Sequence, residues 1–289
     1  MPKSATISYS LQANGIFMPN VPVVHRDDEY DPGGFDLLKE MQGRHFWYRG
    51  RHRFLLAALK DQLAHMPLRS GGARAIDLGG GCGGWITYLQ DRLPRAFSEV
   101  ALSDSSLRAL ELAGVVVGQD VSRYQTDLLH LGWQNRWDVA FLLDVMEHIP
   151  NDLDALLQIE RALTPGGLLF VATPALQSFW SYNDELAHHF RRYAKRDFSR
   201  LAEAAGLRLL CARYFMFFLS PLLWLSRRAI NRRGLSREQL QVEANCAHHV
   251  PAAPVNGLLK FIFELETPLG LKLPFPWGTS ILGVFQKKA

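Results

Sequence analysis

Cysteine is scarce in this sequence. The 289 residues contain three, Cys82, Cys211 and Cys246, and no CxxC pair. That excludes a disulfide framework and a thiolate zinc site. The N-terminal "MPKSATISYS" lacks the apolar core of a secretory leader, so a reducing, cytoplasmic location is expected. Charge of one sign is also in short supply: 32 Lys and Arg against 28 Asp and Glu leave +4. So small an excess does not call for a nucleic-acid partner, and the basic residues lack an interleaved aromatic platform. No apolar run reaches the roughly 20 residues of a spanning helix. The nearest, Leu209 to Leu225, "LLCARYFMFFLSPLLWL", carries Arg213 in its middle and Pro221 near its end. It reads as a strand followed by a greasy helix. Arg227, Arg228, Arg232 and Arg233 come next. Apolar followed by basic is the pattern of a segment lying on a membrane surface, here 216–233, possible at an inner membrane face. The alternative is a core strand and an ordinary surface helix end. No internal repeat is present.

What is there is alternation. Residues 1 to about 40 show no period and read as a lead-in arm. "RHFWYRGRHRFLLAALKDQLAHM" has helical spacing, and "PLRSGG" breaks it. Strand and helix patterns then follow in turn: "RAIDLG", "GWITYLQDRL", "EVALSD", "SLRALELAG", "WDVAFLLD", "DLDALLQIERAL", "LLFVATP", "RDFSRLAEAAG" and "LRLLCARYF". "VVV" and "SRYQTD" compete for the third strand. Residues 216 to 278 interrupt the order with a greasy helix, a basic polar stretch and "GLLKFIFELE". "TSILGVFQKK" reads as a last strand. The alternation predicts an α/β, Rossmann-like, seven-stranded, mostly parallel sheet with helices on both faces. Residues 1–70 would form an arm and lid helix, 71–215 with 279–289 the core, and 216–278 an insert.

The chemistry centres on "AIDLGGGCGGW". Five glycines occupy six positions after a buried-strand run. A strand, a bare loop and a helix place a ligand at the carboxyl end of the strand. Gly79, Gly81 and Gly84 fit GxGxxG, while Gly79, Gly81 and Gly83 fit GxGxG equally well. Asp77 helps to choose. A carboxylate beside the loop repels a pyrophosphate and attracts a ligand carrying an ammonium and a sulfonium. The dinucleotide reading stays open, because an acid about 20 residues on also fits Asp104.

These residues resemble the class I S-adenosylmethionine-dependent methyltransferases. "DLGGGCG" is similar to their D/E-x-G-x-G-x-G signature, and "LLDVMEHIP" to the D-V-L-E-H run after the fourth strand of small-molecule members. "LTPGGLLFVATP" resembles the turn into their fifth strand. The resemblance covers roughly 70 to 210 and the final strand. It implies an antiparallel last strand and S-adenosylmethionine as cofactor. It further implies cofactor contacts from Asp77, Gly79, Gly81, Gly83, Asp104 on the ribose, Asp127 near the adenine, and Asp144. The H-x-R-R-Y run in "LAHHFRRY" is similar to one in related bacterial sequences. Similar bacterial proteins end in a run like "LPFPWGTSILGVFQKK", and these resemble methyltransferases associated with cell-surface glycan, lipid-linked or natural-product pathways.

Methyl transfer needs the acceptor held in line with the methyl group, and a base only if the acceptor must lose a proton. His148 and His189 are the candidates for that base. Arg192 and Tyr193 are candidate substrate contacts, and His45, Phe46, Trp47 and Tyr48 a candidate lid, with Trp47 and Tyr48 meeting substrate. The pairs His188–His189 and His248–His249 lack helical i, i+4 metal spacing, and Cys246 with His249 has no further ligand nearby, so no metal is expected. The fourth-strand run lacks N/D-P-P-Y/F and Pro-Cys, which sets aside adenine-amino and cytosine-carbon methylation. The expectation is methyl transfer to an oxygen, or failing that a nitrogen or carbon, of a hydrophobic or lipid-linked small molecule. The alternatives are a nicotinamide-dependent oxidoreductase and a non-catalytic membrane-surface protein.

Overall fold

The computed structural model describes residues 7–23, 34–65, 72–231 and 233–289. The "PLRSGG" break falls outside these except for Gly72, as do Met66, Arg232 and the side chains of Cys246 and His248. The strands are β1 (Tyr9–Leu11), β2 (Ile16–Pro19), β3 (Ala73–Leu78), β4 (Phe97–Asp104), β5 (Ser122–Gln125), β6 (Trp137–Leu143), β7 (Leu163–Pro174), β8 (Leu207–Phe215) and β9 (Ser280–Lys287). They form one sheet in the order β1-β2-β5-β4-β3-β6-β7-β9-β8. β2 through β7 run parallel in that order, and β9 is antiparallel to both β7 and β8.

The central parallel strands β3 and β6 are buried on both faces, so they read as nearly continuous apolar runs. Successive residues still face opposite layers. Ala75 and Phe141 enter the core that holds Phe54, Leu55, Trp85 and Phe170. Ile76 and Leu142 enter the other, with Leu156, Ile159 and Phe198. The helices filling those layers are α1 (Phe35–Arg44), α2 (Phe46–Leu63), α3 (Gly84–Arg92), α4 (Leu107–Val116), α5 (Asp152–Ala162), α6 (Tyr182–Leu186), α7 (Lys195–Ala204), α8 (Ser220–Asn231), α9 (Arg237–His248) and α10 (Ala253–Lys272).

The structure differs from the sequence expectation in three details and settles the third strand. The sheet has nine strands rather than seven. The extra pair, β1 and β2, is a hairpin closed by Gly15 N to Gln12 O at 2.9 Å and Gln12 N to Ile16 O at 3.0 Å. Gly15 takes φ +74°, so Asn14–Gly15 was the turn signal inside the arm. Strands of three and four residues are too short to show a period. Packing decides them: Tyr9 stacks on Trp133 at 5.0 Å, and Phe17 on Tyr124 at 4.7 Å. The third strand is Ser122–Gln125, and Val115–Val116 ends α4. The expected N-terminal helix is α2, and a further helix, α1, precedes it inside the arm; His45 parts the two by capping α2, accepting a hydrogen bond from Trp47 N at 3.1 Å. The basic polar stretch contains α9.

α10 packs along α2 and against β8. The crossing is close at Gly50, where an added Cβ would lie 2.0 Å from Phe263 Cδ1. Phe263 in turn stacks on Phe215, and Phe215 on Phe54. The arm and the insert therefore share one layer on the sheet.

Candidate active site

Backbone at the end of β3 is bare because both conformation and space demand it. Gly79 and Gly83 take φ +71° and +80°, the left-handed region that side chains avoid. A Cβ at Gly79 would lie 2.6 Å from Val145 Cγ2, and one at Gly83 2.5 Å from Val117 Cγ1. Gly80 N donates to Ser103 O at 2.9 Å, tying the loop to β4. α1 covers the loop. Cys82 Sγ lies 3.3 Å from Phe35 O, and Gly84 N donates to Gln42 Oε1 at 3.0 Å where α3 begins. The cover over the glycines thus comes from α1, in the stretch where the sequence showed no period.

The acids lie around this loop. Asp77 is 2% exposed rather than on a rim, and its Oδ1 has no hydrogen-bond partner. Burial pushes its carboxyl up to about 8; Arg51 pulls it down and Asp104 adds to the rise. The electrostatic choice made by Asp77 is therefore conditional: an approaching ammonium favours the ionised form. Asp104 Oδ2 accepts from Gly81 N at 2.9 Å, and its Oδ1 from Ser106 N at 2.9 Å. That fixes the glycine loop against the end of β4. Asp127 folds back to accept from Leu129 N and meets His130 Nδ1, both at 2.9 Å, with its side chain 43% exposed. Asp144, at φ +56°, pairs with Arg51 of α2. The Arg51 guanidinium also lies over the rings of Trp47 and Tyr48, 4.9 and 5.2 Å from their centroids. Arg51 escaped sequence reading. Its signal was helical spacing, four residues after Trp47 and three after Tyr48.

A pH test follows from Asp77. Its native carboxyl is raised above the ordinary value, about 3.9. The folded state then holds the proton more tightly than the unfolded chain, and stability falls as pH rises from about 4 to 8. Asp77→Asn should melt above the parent protein at pH 8 without ligand, with the gap closing toward pH 4. Thermal unfolding across that range checks it; a gap that widens in acid contradicts it.

Beside these acids stand the histidines. His148 and His189 meet edge to face, ring centroids 4.7 Å apart. Burial, with the charges of His189 and His188, holds His148 down to about 3, so its imidazole is neutral and a poor base at neutral pH. His189 Nδ1 lies 3.0 Å from Asp184 Oδ1. Burial alone would raise Asp184. The hydrogen bonds and charges of His189 and Arg192 outweigh it and hold that carboxyl below the ordinary range. Glu147 is wholly buried, and neither carboxylate oxygen has a hydrogen-bond partner; burial and the Asp144 charge push its carboxyl well up.

Arg192 and Tyr193 need correction as substrate contacts. The Arg192 side chain is 4% exposed and grips Asp184 with Nε at 2.7 Å and Nη2 at 3.0 Å. Tyr193 is 2% exposed, and its hydroxyl donates to Met146 O or Asp152 Oδ2, at 3.2 and 2.9 Å. Tyr193 thereby pins the loop after β6, and Arg192 ties α6 to Ala175 at the end of β7. Trp47 and Tyr48 remain half-buried beside Arg51.

Comparison with known proteins decides between the two cofactor readings of the glycine loop. A profile described as a methyltransferase domain matches residues 43–212, more than half the chain. The chain belongs to the class I S-adenosylmethionine-dependent methyltransferases. The chain is similar to the trans-aconitate 2-methyltransferase of Azoarcus sp., 32% identical over 166 residues, 57% of this chain and 62% of that protein. It is also similar to the ubiquinone biosynthesis O-methyltransferase of Cereibacter sphaeroides, 29% identical over 123 residues, 41% of this chain and 48% of that one. The chain thus spans between about half and three-fifths of these relatives' lengths. The fold is shared with phosphoethanolamine N-methyltransferase 2 of Haemonchus contortus, solved with S-adenosyl-L-methionine. That likeness has a TM-score of 0.56 and 16% identity, covering 94% of this chain and 62% of the other. The residues of the chain fit the family's cofactor, S-adenosylmethionine: the loop is bare where a Cβ cannot be placed, and a buried carboxylate oxygen beside it lacks a partner.

Proposed function

We propose that the chain transfers a methyl group from S-adenosylmethionine to an oxygen of a hydrophobic or lipid-linked small molecule. The observation that carries this is the buried, unpartnered Asp77 oxygen beside a positive-φ glycine loop. Asp77 faces the ammonium, and the amides of Gly79, Gly81 and Gly83 line the donor. Asp104 takes the ribose hydroxyls and Asp127 the adenine. Asp144, locked by Arg51, closes the methionine end, and Trp47 and Tyr48 exclude water. When bound, S-adenosylmethionine supplies a methyl group on a sulfonium that leaves without further activation. His189 receives the acceptor's proton at Nε2, because Asp184 holds the other ring nitrogen and fixes the tautomer. His148 packs against it and keeps its orientation. Residues 71–215 with 279–289 serve as the catalytic core, 1–70 as its cover, and 216–278 as the acceptor-facing insert.

Incubation with cell extract and labelled donor should add one methyl mass to an acceptor. On that acceptor His189→Ala should be slower by about 10²–10⁴-fold, the usual contribution of a general base, and His148→Ala by less. Parent-like rates for both remove the base from the mechanism.

The insert supports a membrane-surface role for the same reading. Leu222 and Leu225 on α8 are each 59% exposed; on α10 Leu258, Phe261 and Leu265 are 59%, 56% and 52% exposed. Among the described residues no helix is long and apolar enough to cross a membrane; the exposed apolar faces of α8 and α10 would lie on a bilayer. Beside them a cleft of about 180 Å³ is lined by Trp180, Trp224, Arg227 and Arg228, a setting for an anionic headgroup. The chain should float with anionic phospholipid vesicles, and Leu222→Glu with Leu225→Glu should abolish flotation. Flotation unchanged by that pair removes the membrane from the proposal.

A further inference from the structure

Histidines adjacent in sequence, His188–His189 and His248–His249, lack helical metal spacing. The fold assembles a different set. Glu147 and His148 lie just beyond β6, while His189 comes from the loop after α6. One ligand atom from each of the three lies within 4.8 Å of the others. We infer that Glu147, His148 and His189 bind a divalent first-row transition cation of the zinc class.

Three features of the cluster point to this. Glu147 is 0% exposed, with two carboxylate oxygens that no protein donor satisfies. A buried carboxylate in that state is costly unless something positive meets it. His148 Nδ1 is likewise buried without a partner. Two orphaned donor groups converging on one point are what a cation would satisfy. His189 supplies the third group in an oriented form. Its Nδ1 is held by Asp184 Oδ1 at 3.0 Å, which leaves Nε2 for a ligand. Asp184 is itself held by Arg192 and by Ser181 N at 2.9 Å. A carboxylate behind a ligating imidazole is the usual outer support of a metal histidine. Two imidazoles and one carboxylate favour zinc, iron or manganese over calcium, and leave coordination positions open.

The site shares His189 with the proposed base, and its consequence rests on that reading. An acceptor oxygen bound to the cation would lose its proton more readily, so the cation would take over the work of the free imidazole. Metal uptake itself requires neither donor nor acceptor. Its failure is therefore distinct from failure of methyl transfer.

The test is equilibrium dialysis of the full chain against Zn²⁺, without donor or acceptor. One equivalent per chain is expected, with a rise in melting temperature that chelation reverses. Glu147→Gln and His189→Ala should each bind Zn²⁺ at least about tenfold more weakly, the usual loss for a ligand-shell change, with unchanged far-ultraviolet circular dichroism. The Co²⁺-loaded parent protein should show visible d–d bands without thiolate charge transfer; this readout stands even if a variant misfolds. Substoichiometric uptake overturns the inference. So does parent-like affinity in folded variants, or a thiolate band placing the ion on a cysteine.

Discussion

Asp184→Ala is expected to lower unfolding free energy by about 3–5 kcal/mol, the usual cost of breaking a buried pair from one side. The Asp184 side chain is 1% exposed and serves three partners at once. It accepts from Arg192 through both oxygens, meets His189 Nδ1, and caps α6 by accepting from Ser181 N. Its loss leaves the Arg192 guanidinium, 4% exposed, charged in the interior with only Ala175 O, at 3.2 Å, among its remaining hydrogen bonds. The sign with pH is fixed by the lowered native carboxyl. The contribution of Asp184 is complete above the ordinary aspartate value, about 3.9, and is lost as pH falls below it toward the native value. Urea unfolding of parent and variant should therefore differ fully at pH 7 and converge in acid. A difference under about 1 kcal/mol at pH 7, or one that grows in acid, would show that the cluster is not a strut.

Asp104→Ala should weaken S-adenosylhomocysteine binding by about 10²-fold. Two hydrogen bonds from ribose hydroxyls to a carboxylate are worth about 3 kcal/mol together, and 1.4 kcal/mol is tenfold in affinity. The loop should also loosen, since Gly81 N and Ser106 N lose their acceptor. Asp104→Asn separates the two effects, because it keeps one acceptor oxygen and removes the charge. Calorimetry should place it between the parent and the alanine variant. Affinity within about threefold of the parent in Asp104→Ala would put the ribose elsewhere.

Both residues sit where sequence reading has unequal reach. Asp104 ends an apolar run next to a helix start, and its place follows from strand period and chain order. Asp184 gave no such signal. It lies in a five-residue helix, and its importance comes from partners five and eight residues on that turn back toward it. "HHFRRY" offered Arg192 and Tyr193 as substrate contacts, because charged and polar residues in such a run usually face solvent. The fold buries Arg192 and Tyr193 by giving each an acid, Asp184 and Asp152. Glu147 was legible as part of the D-V-M-E-H run, but not as an unsatisfied carboxylate, since satisfaction depends on what the neighbouring loops leave out.

By itself the sequence determined the alternating α/β order, the antiparallel last strand through its family resemblance, and the glycine loop with its acids. Those features are local: they depend on apolar period, on bare backbone, and on an acid at a strand end. Only the tertiary structure decided that β1 and β2 extend the sheet, that α1 covers the glycine loop, and that Arg51 locks Asp144. It alone brought Glu147, His148 and His189 to one point. These are contacts between segments distant in the chain, or across a tight turn, and the energy that fixes them is burial and pairing. Neither has a period that a linear pattern can carry.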